Sequence, residues 1–161
     1  MATQTTDSPT WPAALGRIPS GLFILTAANG DHSTGMLASW VQQCSFDPPT
    51  ISVAMRKGRY LLDWLIEGSS FAVNVLGEGQ KSMLAHFGKG FELGEPAFEG
   101  IDVDRSGAAP VLKAALSHLH LRVVGHCDAG DHVLVLGRVV GGAVHHDGKP
   151  TVHTRKSGLH Y

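Results

Sequence analysis

Cysteine is scarce here: Cys44 and Cys127 are the only two in 161 residues. Two thiols exclude a disulfide scaffold and a four-thiolate metal site, and they suit a reducing compartment. A surplus of either charge is also missing. Thirteen basic and fourteen acidic residues leave a formal net charge of −1, too little for a phosphate-tracking nucleic-acid surface. No apolar run approaches membrane-span length, and the polar N-terminus has no signal-peptide core. The expectation is therefore a cytoplasmic protein that binds neither nucleic acid nor membrane. Nucleophile elbows, P-loops and a correctly spaced dinucleotide-binding glycine motif are absent as well. Gly88-Lys89-Gly90 with Gly94 has the wrong spacing and context.

What remains is ordinary for a folded domain: 43% hydrophobic and 17% charged residues in a chain of single-domain length. Residues 1–17 are polar, carry Thr and Pro without hydrophobic period, and read as a flexible arm. Residues 18–161 read as one domain. Gly21–Ala28 is an apolar strand, Asn29-Gly30-Asp31 a hairpin turn, and Thr34–Phe46 the returning strand, ended by Pro48-Pro49. Thr50–Met55 alternates Ile51, Val53 and Met55 on one face. Leu61, Leu62, Leu65 and Ile66 predict a helix between Gly58 and Gly68. Phe71–Leu76 is a further strand, and Met83, Leu84 and Phe87 share a face of a helix over Gln80–Phe87. Gly88–Gly107 reads as a long loop. Ala115–Cys127 and His132–Ala143 form a long hairpin, and Thr151–Thr154 a last strand. Many strands with two short helices predict a mainly β antiparallel barrel rather than a doubly wound sheet.

Three segments carry chemistry. In Met55-Arg56-Lys57-Gly58-Arg59 a strand enters a helix and three cations crowd its N-terminus, a setting for a phosphate. The competing reading is a solvated turn. In Met36–Ser45, small residues Ala38, Ser39 and Ser45 let a flat ring approach the backbone, and Trp40 can cover it. The competing reading is a core strand with a wet outer face. Gly130-Asp131-His132 places an imidazole where a strand opens; a surface hairpin histidine is the plain alternative. Ten histidines, among them His118, His120, His126, His145 and His146, invite a metal. No ligand motif accompanies them, so no native metal site is expected.

In order, Gly35–Val41, Ser45–Pro49, Phe71–Leu76, His86-Phe87, Gly130–His132 and His153–Tyr161 resemble the flavin reductase-like family of FMN-binding split barrels. The likeness is closest to the flavin reductase module that ends flavodiiron (diflavin) proteins. It implies an antiparallel Greek-key split β-barrel with a few short helices. It also implies a homodimer, with FMN (FAD being possible) near the subunit interface. Met36, Leu37, Ala38, Ser39, Trp40, Gln43, Cys44 and Ser45 would contact the isoalloxazine and ribityl chain. Arg56, Lys57, Gly58 and Arg59 would form the phosphate site, Phe87 would lie near the cofactor, and His132 would face the nicotinamide. Cys44 stands where the family pattern has a small residue such as alanine. The implied activity is NAD(P)H-dependent flavin reduction, with NADH or NADPH as hydride donor and a protein or free flavin as electron acceptor. A non-catalytic FMN electron carrier or sensor, and a cofactor-free interaction barrel, are the alternatives. The resemblance covers the barrel module and not the diiron or flavodoxin modules of flavodiiron proteins, so an oxygen-reducing role is not among the expectations it carries.

Overall fold

A computed structural model describes residues 9–161. Helix α1 (Trp11–Gly16) leads into strands β1 (Ser20–Gly21), β2 (Phe23–Asn29), β3 (His32–Ala38), β4 (Val41–Phe46) and β5 (Pro49–Arg56). Helix α2 (Tyr60–Ile66), strand β6 (Phe71–Val75) and helix α3 (Lys81–Gly88) follow. Two short strands, β7 (Val103–Asp104) and β8 (Val111–Leu112), precede the long pair β9 (Ser117–Ala129) and β10 (His132–Val144), and β11 (Val152–His153) comes last.

Seven strands form one antiparallel sheet in the order β3-β2-β6-β9-β10-β5-β4. Its two end strands, β3 and β4, are consecutive in the chain and separated only by Ser39 and Trp40. The three Cα steps from Ala38 to Val41 span at most about 11 Å. The sheet must therefore roll until its edges approach, which makes it a barrel. Here the structure corrects the single strand expected over Thr34–Phe46. The chain leaves β2 after Ala38, the Trp40 carbonyl accepts the Ala54 amide at 3.0 Å, and pairing passes to β5. Both halves are extended, so nothing local marks the change of partner.

The barrel interior is filled by Leu25, Val53, Met55, Phe71, Val73, Leu121 and Val135, with α2 plugging it through Leu61, Leu62, Trp64 and Leu65. Ile66, expected inward, is exposed, and Trp64 packs in its stead. A second cluster joins α3, through Phe87, to Leu22, Ile24, Leu76, Phe98 and Leu112. Asn74 is wholly buried yet satisfied: its amide donates to the Ile24 carbonyl and Thr26 hydroxyl, and its oxygen accepts the Leu112 N–H. That bond holds β8, which the sequence did not reveal, against β6.

The segment expected as an arm divides. Residues 1–8 lie outside the described residues, whereas Trp11–Gly16 is helical. The Gly16 carbonyl accepts the Arg155 amide at 2.8 Å and the Pro12 carbonyl the Gly158 amide at 2.6 Å. Partners some 140 residues away order this helix, so local periodicity carries no sign of it.

Candidate functional site

Where β3, the Ser39-Trp40 crossover, the end of β5 and α3 converge, they enclose a cavity of about 460 Å³. That lies within the usual range of small-molecule sites, roughly 300–1,000 Å³. Met36, Leu37, Ala38, Ser39 and Trp40 form one wall, and Leu84, Phe87 and Gly88 another. Arg56, Arg59 and Tyr161 also line it.

β3 lacks a side chain at Gly35, which leaves room for the ring of Phe87, a residue of the cavity wall. A Cβ there would sit 2.5 Å from Cε1 of Phe87, so the ring lies directly against the strand backbone. The arginines are placed by the turn between β5 and α2. Gly58, at φ +83°, makes a left-handed turn that L side chains rarely adopt, and no side chain caps the α2 N-terminus beyond it. Neither Arg56 nor Arg59 forms an ion pair among the described residues. Two cations on an apolar slot give a donor set suited to an anionic group attached to a flat ring.

Other expected residues lie elsewhere. The Lys57 ammonium is bound to the Asp128 carboxylate, and that hydrogen bond holds Asp128 below the usual carboxylate range. Lys57 therefore faces the β9–β10 turn and does not line the cavity. Gly58 borders a smaller recess with Tyr60 and Phe91. Gln43, Cys44 and Ser45 line a separate surface depression on β4, where the Cys44 thiol donates to the Thr50 carbonyl.

His132 is 6% exposed and does not line the cavity either. Its Nδ1 is 2.7 Å from Asp131 Oδ1 and its Nε2 is 2.8 Å from the Tyr161 hydroxyl. The Trp40 ring lies 4.8 Å from the imidazole and 5.6 Å from the Tyr161 ring, and the Arg155 guanidinium sits over the Trp40 ring. Burial raises the Tyr161 phenol above its ordinary value, and the hydrogen bond from His132 lowers Asp131. Tyr161, His153 and Leu84 at the cavity were missed by sequence reasoning as site residues. The terminal segment stood out only as part of a resemblance, because nothing local says where it folds.

The histidine cluster also becomes spatial. His118 Nδ1 meets His145 Nε2 at 2.7 Å, and His120 and His146 line the same recess. Among the described residues no group of three or more His, Cys, Asp or Glu is arranged to hold a metal ion.

The family model for the flavin reductase like domain matches residues 15–159. Diflavin flavoprotein A 1 of Synechocystis is 39% identical over 151 residues, covering 92% of this chain and 26% of that protein. The chain thus spans about a quarter of the length of that relative. Among solved structures, the NADH:FAD oxidoreductase SgcE6 of Streptomyces globisporus superposes with a TM-score of 0.80 at 25% identity, covering 88% of this chain and 85% of that one. The styrene monooxygenase flavin reductase of Pseudomonas putida gives 0.77 at 25% identity, covering 91% and 93%. A split barrel with a cavity lined by two arginines and a family match over nearly all its described length lead to one assignment: the chain belongs to the flavin reductase-like family.

Proposed function

We propose that this chain is an NAD(P)H-dependent flavin reductase that holds FMN in the 460 Å³ cavity. The observation that carries the reading is the pair Arg56 and Arg59, without ion partners among the described residues, lining an apolar slot bounded by Met36–Trp40 and Phe87. The arginines would grip the phosphate, and the slot would take the ring against the backbone of β3. Two arginines match a single phosphate, which favours FMN over FAD. Bound flavin supplies the redox chemistry as a hydride acceptor, so the chain needs no nucleophile of its own. Its residues bind the tail, order the stack and exclude water from the ring.

A homodimer fits the same reading. Beside the cavity, on the other side of Trp40, lies an open apolar groove lined by Leu15, Ile18, Phe23, Val41 and Val152. Leu15, Ile18 and Val152 are exposed in the single chain, and a second copy would cover them. Among the described residues no helix is long and apolar enough to cross a membrane. Two exposed, unpaired cysteines suit the cytoplasm.

The test is fluorescence titration of FMN into the parent and an Arg56→Ala/Arg59→Ala variant, followed by anaerobic mixing with NADH or NADPH. The parent should bind FMN and bleach, while the variant should bind at least roughly tenfold more weakly with an unchanged urea midpoint. Equal affinity in the two proteins would remove the phosphate assignment. FMN that binds yet resists both nicotinamides would make the protein a carrier.

A further inference from the structure

The imidazole of His132 has no free atom to offer the cavity. Asp131, held as a carboxylate, can only accept, so His132 Nδ1 carries the hydrogen at 2.7 Å. In the neutral ring Nε2 is then an acceptor, and the Tyr161 hydroxyl donates to it at 2.8 Å. Trp40 packs against the imidazole as well. Tyr161, in contrast, lines the cavity, its ring 5.6 Å from Trp40 on the wall that would take the flat ring.

We infer that Tyr161 is the group this chain presents to the reacting rings, and that His132 is a positioning residue acting through it. The inference rests on the flavin reading above. The charge of His132 sets what the phenol offers. With a neutral imidazole the O–H points at Nε2, and only oxygen lone pairs face the cavity. With a second proton on the imidazole, Nε2–H becomes the donor, the phenol oxygen accepts it, and the phenol O–H turns inward. No proton leaves the pair; the direction of one hydrogen bond reverses. An inward O–H can stabilise the negative charge that a ring gains with a hydride. The ionisable neighbours of the pair are Asp131 on the turn, Arg56 opposite His132 in the β5–β10 register, Arg59 before α2, and Arg155 in the terminal segment.

The experiment compares the full chain with Tyr161→Phe, His132→Gln and the double variant. FMN affinity, read by fluorescence quenching, should stay within about twofold of the parent in all three, because the arginines hold the cofactor. Hydride transfer at saturating nicotinamide should slow by roughly tenfold to a hundredfold in each single variant. The double variant should be no slower than Tyr161→Phe, since the imidazole acts only through the phenol. A further slowing by His132→Gln on the Tyr161→Phe background would show that the imidazole acts directly, and would overturn the inference. Without cofactor, the phenol titration gives a second reading. The chain has two tyrosines, Tyr60 and Tyr161, so the difference between parent and Tyr161→Phe isolates Tyr161. His132→Gln should shift that titration; an unshifted phenol overturns the pairing. A parent that binds no FMN would fail the flavin reading itself, a different result from additive variants on a protein that binds it.

Discussion

At Gly35 a single missing methyl makes room for the Phe87 ring of the cavity wall. The Cβ of an alanine would lie 2.5 Å from one Phe87 ring carbon and 3.0 Å from another. Phe87 is buried between α3 and β3 and has little room to retreat. Gly35→Ala should therefore cost roughly 1–3 kcal/mol in urea unfolding and weaken FMN binding, because the displaced ring enters the slot. A variant of parental stability and affinity would show that the ring moves freely. The cations of the Arg56–Arg59 turn differ in the same local way. Lys57 is spent on Asp128 at the exposed turn between β9 and β10. Lys57→Ala should change FMN affinity by about twofold at most, as befits a surface ion pair, whereas Arg59→Ala should cost roughly tenfold. Fluorescence titration of the two variants side by side tests the split. Sequence alone showed three cations together and could not rank them, since the ranking depends on which one finds a carboxylate some 70 residues away.

At the scale of elements, β9 and the segment after β10 are tied by the His118–His145 hydrogen bond, and His146 bonds the Lys113 carbonyl after β8. Burial first, then neighbouring His120 and His145, depresses the His118 pKa below its ordinary 6.5. The sign follows. The unfolded chain takes up this proton at a higher pH than the folded one, so stability is full above about 6.5 and declines as pH falls toward the folded value. Urea midpoints measured across that window should drop with acid, and His118→Gln should flatten the drop. An equal slope in parent and variant would acquit this histidine. The pattern of elements was largely legible. Alternation marked β5 and β6, Asn29-Gly30-Asp31 marked the β2–β3 turn, and Met83, Leu84 and Phe87 marked α3. The break at Ser39-Trp40 was not, because both halves are extended and only the change of hydrogen-bond partner separates them. β7 and β8 escaped because two-residue strands have no measurable period.

Across the whole molecule, the groove containing Leu15, Ile18 and Val152 is where a second copy would seat. Ile18→Asp with Val152→Asp should move the protein from dimer to monomer in sedimentation and leave the monomer folded, because both side chains are already exposed in the single chain. A parent that sediments as a monomer would refute the homodimer. Since Ser39 and Trp40 line both groove and cavity, the monomer should also lose FMN affinity.

The sequence by itself determined the antiparallel β character, the hairpin turns, the inward faces of β5 and β6, and the cationic entrance to α2. These follow from side-chain alternation and backbone chemistry within a few residues. Only the tertiary structure decided that β3 and β4 separate to opposite ends of the sheet, that Lys57 turns away, and that Tyr161 rather than His132 reaches the cavity. Each of those outcomes depends on hydrogen bonds and packing between segments tens of residues apart. Such pairings leave no period in the chain and arise only when the barrel closes.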